Sequence, residues 1–257
     1  MQKLAKNNPI IKKVKELQKK SSDELVYVDD LSSIKLITKY DIKLDTFIYC
    51  DEFEYHNDTQ LLITELLKKA NNSYTISKST FEYLRQKENT VGLIAVVKYP
   101  SLDLDSLKNK NFIVVCDSLE IPGNIGTIYR TMDAVGKLGM ILVDAVVKPQ
   151  SAKLTLASRG CNLLIPTVST SYSSAQQWLL ENGYTIYLGE PNLGKSYKEY
   201  DYEGKIAIVV GSERFGINQE WYNNPHQKVF IPMCGSNNSL NVSVAASILI
   251  YEAAMKK

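Results

Sequence analysis

The C-terminal segment from Phe230 to Lys257 places the strongest constraint on how this chain folds. It begins as a strand, breaks at Pro232, continues through small polar residues, and ends in an apolar stretch of helical length from about Asn241 to Lys256. Because this predicted helix has almost no polar face, it needs cover on most of its circumference. One sheet face supplies only part of that cover, so a second copy of the chain is the simplest source of the rest.

The polar loop before this helix is a candidate binding site. Hydroxyls, amides and backbone N–H groups gather at the helix N-terminus through Gly235, Ser236, Asn237, Asn238, Ser239 and Asn241. Serine and asparagine are preferred N-cap residues, so capping alone would explain Ser239 or Asn241. The run as a whole also suits ligand binding, and both interpretations stay open at this point.

Length and composition restrict the class of protein. The chain has 257 residues, enough for one large domain or two small ones, and its 44% hydrophobic and 23% charged content is typical of a globular protein. No apolar run reaches membrane-spanning length, and the lysine-rich N-terminus has no apolar core behind it, so we expect a cytoplasmic protein. The four cysteines lie far apart, which favours buried thiols over disulfides or zinc, and the two histidines lack ligand spacing. No metal is predicted.

Strand-like and helical runs alternate in two regions. Residues 1–99 predict a small α/β domain, residues 100–110 are polar and predict a linker, and residues 111–257 predict a second α/β domain. The strand-like runs of the second region are continuously apolar, which indicates a mostly parallel sheet covered on both faces.

The first 20 residues are rich in lysine. They contain Lys3, Lys6, Lys12, Lys13, Lys15, Lys19 and Lys20 against a single acid, Glu16. Such a run is usual for a solvated helix face, but it would also contact the phosphates of a nucleic acid. We take Lys12 and Lys13 as the candidate nucleic-acid contacts.

Three motifs in the second region resemble those of one enzyme family. They are PGNIGTIYRTMDAVG from Pro122, IAIVVGSERFGIN from Ile206 to Asn218, and IPMCGSNNSLNVSVAASILIYE from Ile231. In this order they resemble the SpoU (TrmH) class of RNA ribose methyltransferases of the SPOUT superfamily, with the nearest likeness to the thiostrepton-resistance branch. The likeness is weaker before residue 110, where it suggests a ribosomal-protein-like RNA-binding domain.

This resemblance implies a fold, a reaction and a cofactor. The fold would be a SPOUT domain with a C-terminal trefoil knot, working as a homodimer through the last helix. The reaction would be methyl transfer from S-adenosylmethionine to a ribose 2′-hydroxyl of RNA, without a metal. Ribosomal RNA of the large subunit is the expected substrate, in a housekeeping or an antibiotic-resistance role. Transfer RNA is the alternative substrate, and a catalytically silent RNA-binding assembly factor is the alternative function.

The resemblance also assigns residues. The catalytic set that handles ribose and phosphate would be Asn124, Arg130, Glu213, Ser239 and Asn241. The set that holds the methyl donor would be Leu188, Gly189, Gly211, Ser212, Ile231, Met233 and Leu240. Arg130 is always protonated, so it would hold a phosphate or stabilise an alkoxide, in its own site or in the partner's.

Each assignment has a plainer alternative. The region of Asn124 and Arg130 is also consistent with a glycine turn that carries a surface arginine. Glu213 is also consistent with an exposed acid in a loop. The sequence Ser158-Arg159-Gly160 resembles the equivalent segment of the thiostrepton-resistance branch, which implies that Arg159 is a second RNA-facing arginine; the alternative is a helix C-cap with glycine.

One further motif suggests a different class of protein. The sequence GEPNLGKS, residues 189–196, fits the phosphate-binding pattern G-x-x-x-x-G-K-[ST] of nucleotide hydrolases. A phosphate loop needs a substantial helix after it, and the polar, aromatic sequence YKEYDYEG that follows offers no apolar face for one. We therefore expect a surface loop at the edge of the methyl-donor pocket.

Overall fold

The computed structural model describes residues 1–88, 90–136 and 138–256, so Lys257 of the C-terminal segment lies outside the described residues. Twelve strands and eight α-helices are found there. In chain order they are β1 Gln2–Leu4, α1 Pro9–Lys19, β2 Leu25–Val28, α2 Leu31–Lys39, β3 Leu44–Cys50, α3 Asn57–Lys69, β4 Asn72–Ile76, α4 Lys78–Leu84, β5 Leu93–Lys98, β6 Phe112–Asp117, α5 Pro122–Val135, β7 Gly139–Val143, α6 Ala152–Ser158, β8 Thr167–Thr170, α7 Tyr172–Glu181, β9 Tyr184–Glu190, β10 Lys195–Ser196, β11 Lys205–Val210, β12 Gln227–Phe230 and α8 Val242–Met255.

The chain divides into two compact units. The first unit comprises Met1–Ser101 and Gln150–Leu164, and the second comprises Leu102–Pro149 and Ile165–Lys257. The sequence predicts instead that everything from residue 111 onward belongs to one domain. The segment Gln150–Leu164 packs with the first unit, so the chain passes between the units three times.

The first unit is built on a five-stranded sheet with the order β1-β4-β3-β5-β2. β1, β4 and β3 run parallel, and β5 is antiparallel to both β3 and β2. Apolar residues of α2 and α3 pack on one set of strand residues, and those of α1, α4 and α6 pack on the alternate set. Both faces of the sheet are therefore covered.

α6 belongs to the first unit because its apolar residues are buried there. Ala152 packs in the same cluster as Ile11 of α1 and Phe81 of α4. Gly160, just after the helix, lies so close to α2 that a Cβ atom would be 2.9 Å from backbone and side-chain atoms of Ser33. A larger residue at position 160 would push this segment away from the unit.

The second unit is built on a seven-stranded parallel sheet with the order β10-β12-β9-β11-β6-β7-β8. This arrangement confirms the predicted mostly parallel α/β sheet. α7 packs on one set of strand residues, while α8 contacts α5, β9 and β11. The sequence does not predict β1 and β10, because these strands contain too few residues to show a periodic pattern.

The predicted linker contributes to the second unit. Residues Leu104–Leu107 form a 3₁₀ helix that is capped by Asp103, and Leu107 is fully buried in the cluster beneath α7. Leu102 and Leu104 are partly buried against the same cluster, so this segment is anchored to the unit despite its polar composition. No helix in the described ranges is long and apolar enough to cross a lipid bilayer.

Candidate active site

A cavity of about 480 Å³ lies in the second unit, where β9 and β11 end beside β12 and α8. It is lined by Gly189, Glu190, Pro191, Val210, Gly211, Ser212, Glu213, Gly216, Ile217, Val229, Ile231, Met233, Ser239, Leu240, Asn241, Val242, Ala245 and Leu249. The carboxyl ends of parallel strands are the usual ligand-binding edge of an α/β sheet. The volume also falls within the range of roughly 300–1,000 Å³ that ligand pockets occupy.

The alternation of side chains along β9 keeps Leu188 out of the cavity. Leu188 points into the core cluster beneath α7 and is fully buried. Its neighbour Gly189 points to the other face, where a Cβ atom would lie 3.3 Å from Cδ1 of Leu249 and 3.2 Å from the carbonyl oxygen of Val209. Glycine at position 189 therefore keeps this wall of the cavity open.

A tight turn forms the second wall. The backbone N–H and C=O groups of Ser212 pair with those of Gly216 at 3.0 and 2.9 Å. A Cβ atom at Gly211 would lie 2.1 Å from the carbonyl carbon of Gly216, and Gly216 has a φ of 70°. Both glycines are thus required by the turn, which presents Glu213 at the cavity.

The loop before α8 forms the third wall. Asn241 is the N-cap of α8, and its Oδ1 atom accepts hydrogen bonds from the Ser243 backbone N–H at 2.9 Å and the Ser243 hydroxyl at 2.6 Å. The capping interpretation of Asn241 is therefore correct. Capping uses the Oδ1 atom and leaves the Nδ2 group available for a second role.

Asn124, Glu213 and Asn241 come together through side-chain hydrogen bonds. Asn124 lies in the first turn of α5. Its Nδ2 group donates to Oε1 of Glu213, and its Oδ1 atom accepts from Nδ2 of Asn241 at 3.3 Å. One residue from each of the three motifs thus joins a polar chain whose two ends, Glu213 and Asn241, line the cavity.

The remaining predicted site residues occupy different places. Of the seven predicted donor-binding residues, six line the cavity and Leu188 does not. Ser239 lines the cavity, whereas Arg130 is exposed on α5 and does not. Arg130 makes no hydrogen bond or ion pair with any residue that the structure describes.

The predicted nucleic-acid contacts all lie in the first unit. Lys12 and Lys13 are exposed on α1. Arg159 is also exposed; it ends α6 with a φ of 53° and is followed by Gly160, whose N–H donates to the carbonyl oxygen of Thr155 at 2.9 Å. The helix C-cap is therefore present, and it leaves the arginine side chain in solvent.

Two acids near the site were missed by sequence reasoning. Glu190, which lines the cavity, accepts a hydrogen bond from the Tyr222 hydroxyl. Asp117 ends β6 with 1% of its surface exposed, and its Oδ2 atom accepts from the Asn218 backbone N–H at 2.7 Å. Burial raises the pKa of Asp117, while the hydrogen bonds from Asn218 and Ser118 lower it. Asp117 thereby anchors the segment that follows the Ser212–Gly216 turn.

The structure gives another explanation for the motif that resembles a phosphate loop. After Lys195 and Ser196, which form β10, only a 3₁₀ helix follows, Tyr197–Glu199. At Gly194 a Cβ atom would lie 1.9 Å from the carbonyl oxygen of Lys228, so glycine is needed where this loop crosses β12. The helix that a phosphate loop requires is absent from residues 189–204, all of which the structure describes.

Cysteines and other potential metal ligands are dispersed. Cys50, Cys116 and Cys161 are buried, as predicted, and Cys234 is exposed in the loop before α8, contrary to that expectation. No group of three or more histidine, cysteine, aspartate or glutamate side chains suited to a metal ion occurs among residues 1–88, 90–136 and 138–256.

Comparison with known proteins identifies the family. Residues 111–251 match the SpoU rRNA Methylase family. A Staphylococcus aureus protein described as a TrmH family tRNA/rRNA methyltransferase is 32% identical over 213 residues, covering 76% of this chain and 84% of that protein. The chain belongs to the SpoU methylase family, which confirms the resemblance that the three motifs indicate.

Two further similarities extend over most of the chain. The Bacillus subtilis 23S rRNA (guanosine(2553)-2′-O)-methyltransferase RlmP is 28% identical over 178 residues, covering 69% of this chain and 71% of that protein. The structure of the SpoU methyltransferase AviRb from Streptomyces viridochromogenes in complex with AdoMet aligns with a TM-score of 0.85 at 24% identity, covering 97% of this chain and 98% of that one. The shared fold therefore includes both units.

Proposed function

We propose that this protein transfers a methyl group from S-adenosylmethionine to a ribose 2′-hydroxyl of RNA. The observation that carries the proposal is the hydrogen-bonded chain of Asn124, Glu213 and Asn241 at a ligand-sized cavity. Family membership and the 2′-O-methylating relative from Bacillus subtilis support the same reaction.

The cavity fits the proposed methyl donor. Its walls combine apolar side chains, such as Val229, Ile231 and Leu249, with polar groups at the ends of β9 and β11, an arrangement typical of cofactor sites. Gly189 and Gly211 let backbone groups border the cavity directly. Glu190 adds a carboxylate, which can accept hydrogen bonds from the ribose hydroxyl groups of the donor. The bound donor supplies an electrophilic methyl group on a sulfonium.

The residues around the cavity would position the RNA ribose that accepts the methyl group. A ribose hydroxyl must be oriented and must lose its proton, and positioning alone contributes substantially to such a reaction. Asn124 fixes the Glu213 carboxylate through Oε1, so we assign to Glu213 contact with the ribose hydroxyl. Ser239 and Asn241 border the same region. Arg130, a permanent cation, would hold the adjacent phosphate or stabilise the alkoxide.

Ribosomal RNA of the large subunit is the proposed substrate, and the proposed location is the cytoplasm. The relative from Bacillus subtilis carries 23S rRNA in its name, whereas the Staphylococcus aureus relative is described for both tRNA and rRNA. Transfer RNA is therefore the second substrate to test. The first unit, with Lys12, Lys13 and Arg159 exposed, would bind the RNA backbone.

The strand order supports the proposed C-terminal knot. β12 is paired between β9 and β10, although both precede it in the chain and are joined by residues 191–194. In addition, α8 contacts the 3₁₀ helix Tyr197–Glu199, which directly follows β10. In the proposed knot, the chain after β12 would pass through the loop that contains β10. Pulling both ends of the chain in an optical trap tests this proposal, because a knotted chain extends to less than its full contour length.

A homodimer is proposed through α8. One side of this helix is buried through Ala246, Leu249, Ile250 and Ala253, while Val244, Tyr251 and Met255 are 46%, 46% and 68% exposed. A second copy would cover these apolar side chains, as the sequence of the helix predicts. A dimer would also explain the position of Arg130. This residue does not line the cavity of its own chain, and it would serve the cavity of the partner.

The reaction is tested with labelled S-adenosylmethionine, 23S rRNA and transfer RNA. A 2′-O-methyl group blocks alkaline cleavage of the adjoining phosphodiester, so a labelled alkali-resistant dinucleotide is expected from the ribosomal RNA. Saturable donor binding in calorimetry is expected as well. Donor binding without transfer to either RNA would contradict the proposed reaction, and absence of donor binding would favour a silent RNA-binding factor.

A further inference from the structure

Phe215 is a large apolar side chain that the protein leaves in water. It is 74% exposed at the tip of the turn closed by Ser212 and Gly216. The Ser212 hydroxyl oxygen accepts a hydrogen bond from the Phe215 backbone N–H at 3.1 Å. The same contacts that shape the cavity wall therefore fix the backbone that carries this ring.

Arg214 turns the exposed ring into a charged stacking surface. The centre of its guanidinium group lies 4.9 Å from the centroid of the Phe215 ring. Both side chains are exposed, and Arg214 forms no ion pair with the residues that the structure describes. Planar aromatic and guanidinium groups are the surfaces on which unpaired RNA bases stack, and the positive charge complements the RNA backbone.

The position of this pair connects it to the candidate active site. Glu213 and Gly216, which flank the pair in sequence, both line the cavity. Glu213 is also hydrogen-bonded to Asn124. A base stacked on the turn would thus belong to the nucleotide whose ribose enters the site, or to its immediate neighbour.

We propose that Arg214 and Phe215 form a stacking surface for an unpaired base of the RNA substrate. The inference rests on the proposed function and adds the substrate class: the methylated ribose lies in a loop, bulge or single strand. Bases inside an A-form duplex are stacked on their neighbours and cannot reach such a surface.

Phe215→Leu and Phe215→Trp separate aromatic stacking from apolar contact. Phe215→Leu keeps an apolar side chain, and we expect it to raise the KM for RNA about tenfold, the effect of losing one base–aromatic stack. Phe215→Trp should restore the KM. Donor affinity, thermal unfolding temperature and sedimentation should match wild type for both. An unchanged KM in Phe215→Leu would overturn the proposal, as would a variant that becomes monomeric, because the ring would then pack on a second copy.

A direct signal tests stacking independently of methyl transfer. The signal of the two native tryptophans is first subtracted from the fluorescence of Phe215→Trp. Single-stranded poly(A) should quench the remaining fluorescence. At equal phosphate concentration, the poly(A)·poly(U) duplex should quench it at least fivefold less. Equal quenching by both polymers, or none by poly(A), would overturn the proposal. Failure of the proposed reaction would appear separately, as absence of methyl transfer by the wild-type protein.

Discussion

The side-chain amide of Asn241 donates a hydrogen bond from Nδ2 to Oδ1 of Asn124 at 3.3 Å, although 117 positions separate the two residues in the chain. Asn241 caps α8 with its other amide atom, and Asn124 passes the contact on to Glu213. A single residue therefore couples the start of the last helix to the two earlier motifs. Any change that shifts α8 would displace Glu213 at the cavity.

Replacing Asn124 tests this coupling. Asn124→Ala removes the amide that orients Glu213, and we expect methyl transfer to fall by on the order of a hundredfold, as for loss of one well-placed polar contact. Donor affinity should stay unchanged because Asn124 does not line the cavity. Rates and calorimetric affinities check both statements. Gln177→Ala, which removes an exposed amide from α7, is the control and should behave as wild type.

Arg130→Lys tests whether the planar guanidinium is required. Lysine keeps the charge but loses the two-pronged contact with phosphate or alkoxide. We expect a decrease in transfer rate of about a hundredfold, equivalent to roughly 3 kcal/mol, with unchanged donor affinity. Normal methylation by this variant would show that the arginine is peripheral.

Val244→Glu tests the proposed dimer. Val244 is 46% exposed, so the isolated chain should tolerate the charge, whereas an apolar interface on α8 should not. Sedimentation should show a monomer, and methyl transfer should be lost. Thermal unfolding should show that the monomeric variant is still folded. Ser173→Glu places a charge on an exposed position of α7 and should leave the dimer intact. A dimeric Val244→Glu variant would place the interface elsewhere.

Leu249 is unsuitable for this test, although the sequence pattern of α8 suggests it. It is 2% exposed and lines the cavity next to Gly189, so Leu249→Glu would bury a charge inside its own chain. Loss of folding at a cost of several kcal/mol is the expected result.

The buried Asp117 predicts a dependence of stability on pH. Its pKa is raised above the ordinary value of 3.8 by burial, so ionisation opposes folding. Its stabilising contribution is therefore complete below pH 3.8 and is lost as pH rises through the higher folded-state pKa. Urea unfolding of wild type and Asp117→Asn should show that the free energy of unfolding of the variant, relative to wild type, increases over this window. A constant difference would indicate an ordinary pKa.

Lys12→Ala/Lys13→Ala tests RNA binding by the first unit. Each lost phosphate contact should flatten the salt dependence of RNA affinity by about 0.7 to 0.9 units of slope, without affecting donor affinity. Deleting residues 1–20 would not serve, because Leu4, Ile11 and Val14 are buried. Lys3→Ala is the control, since Lys3 is already paired with Asp51 and Glu52 at 2.7 and 3.1 Å, and its slope should match wild type.

The sequence by itself determined the alternation of helices and strands, the parallel sheet of the second unit and the family. These properties follow from local patterns: continuous apolar runs predict buried strands, and the three motifs keep their residues in fixed order. The sequence also excludes a phosphate loop at GEPNLGKS, because the residues that follow this motif lack the apolar face that a helix would bury.

Only the tertiary structure decided which of these residues meet. The sheet order brings Asn124, Glu213 and Asn241 together and adds Glu190 and Asp117, whose partners lie 32 and 101 positions away. Alternation along β9 turns Leu188 into the core and Gly189 into the cavity, and packing against α1 and β2 draws α6 into the first unit. These outcomes depend on contacts between distant segments, and a periodic pattern records only that a residue is buried, not what buries it.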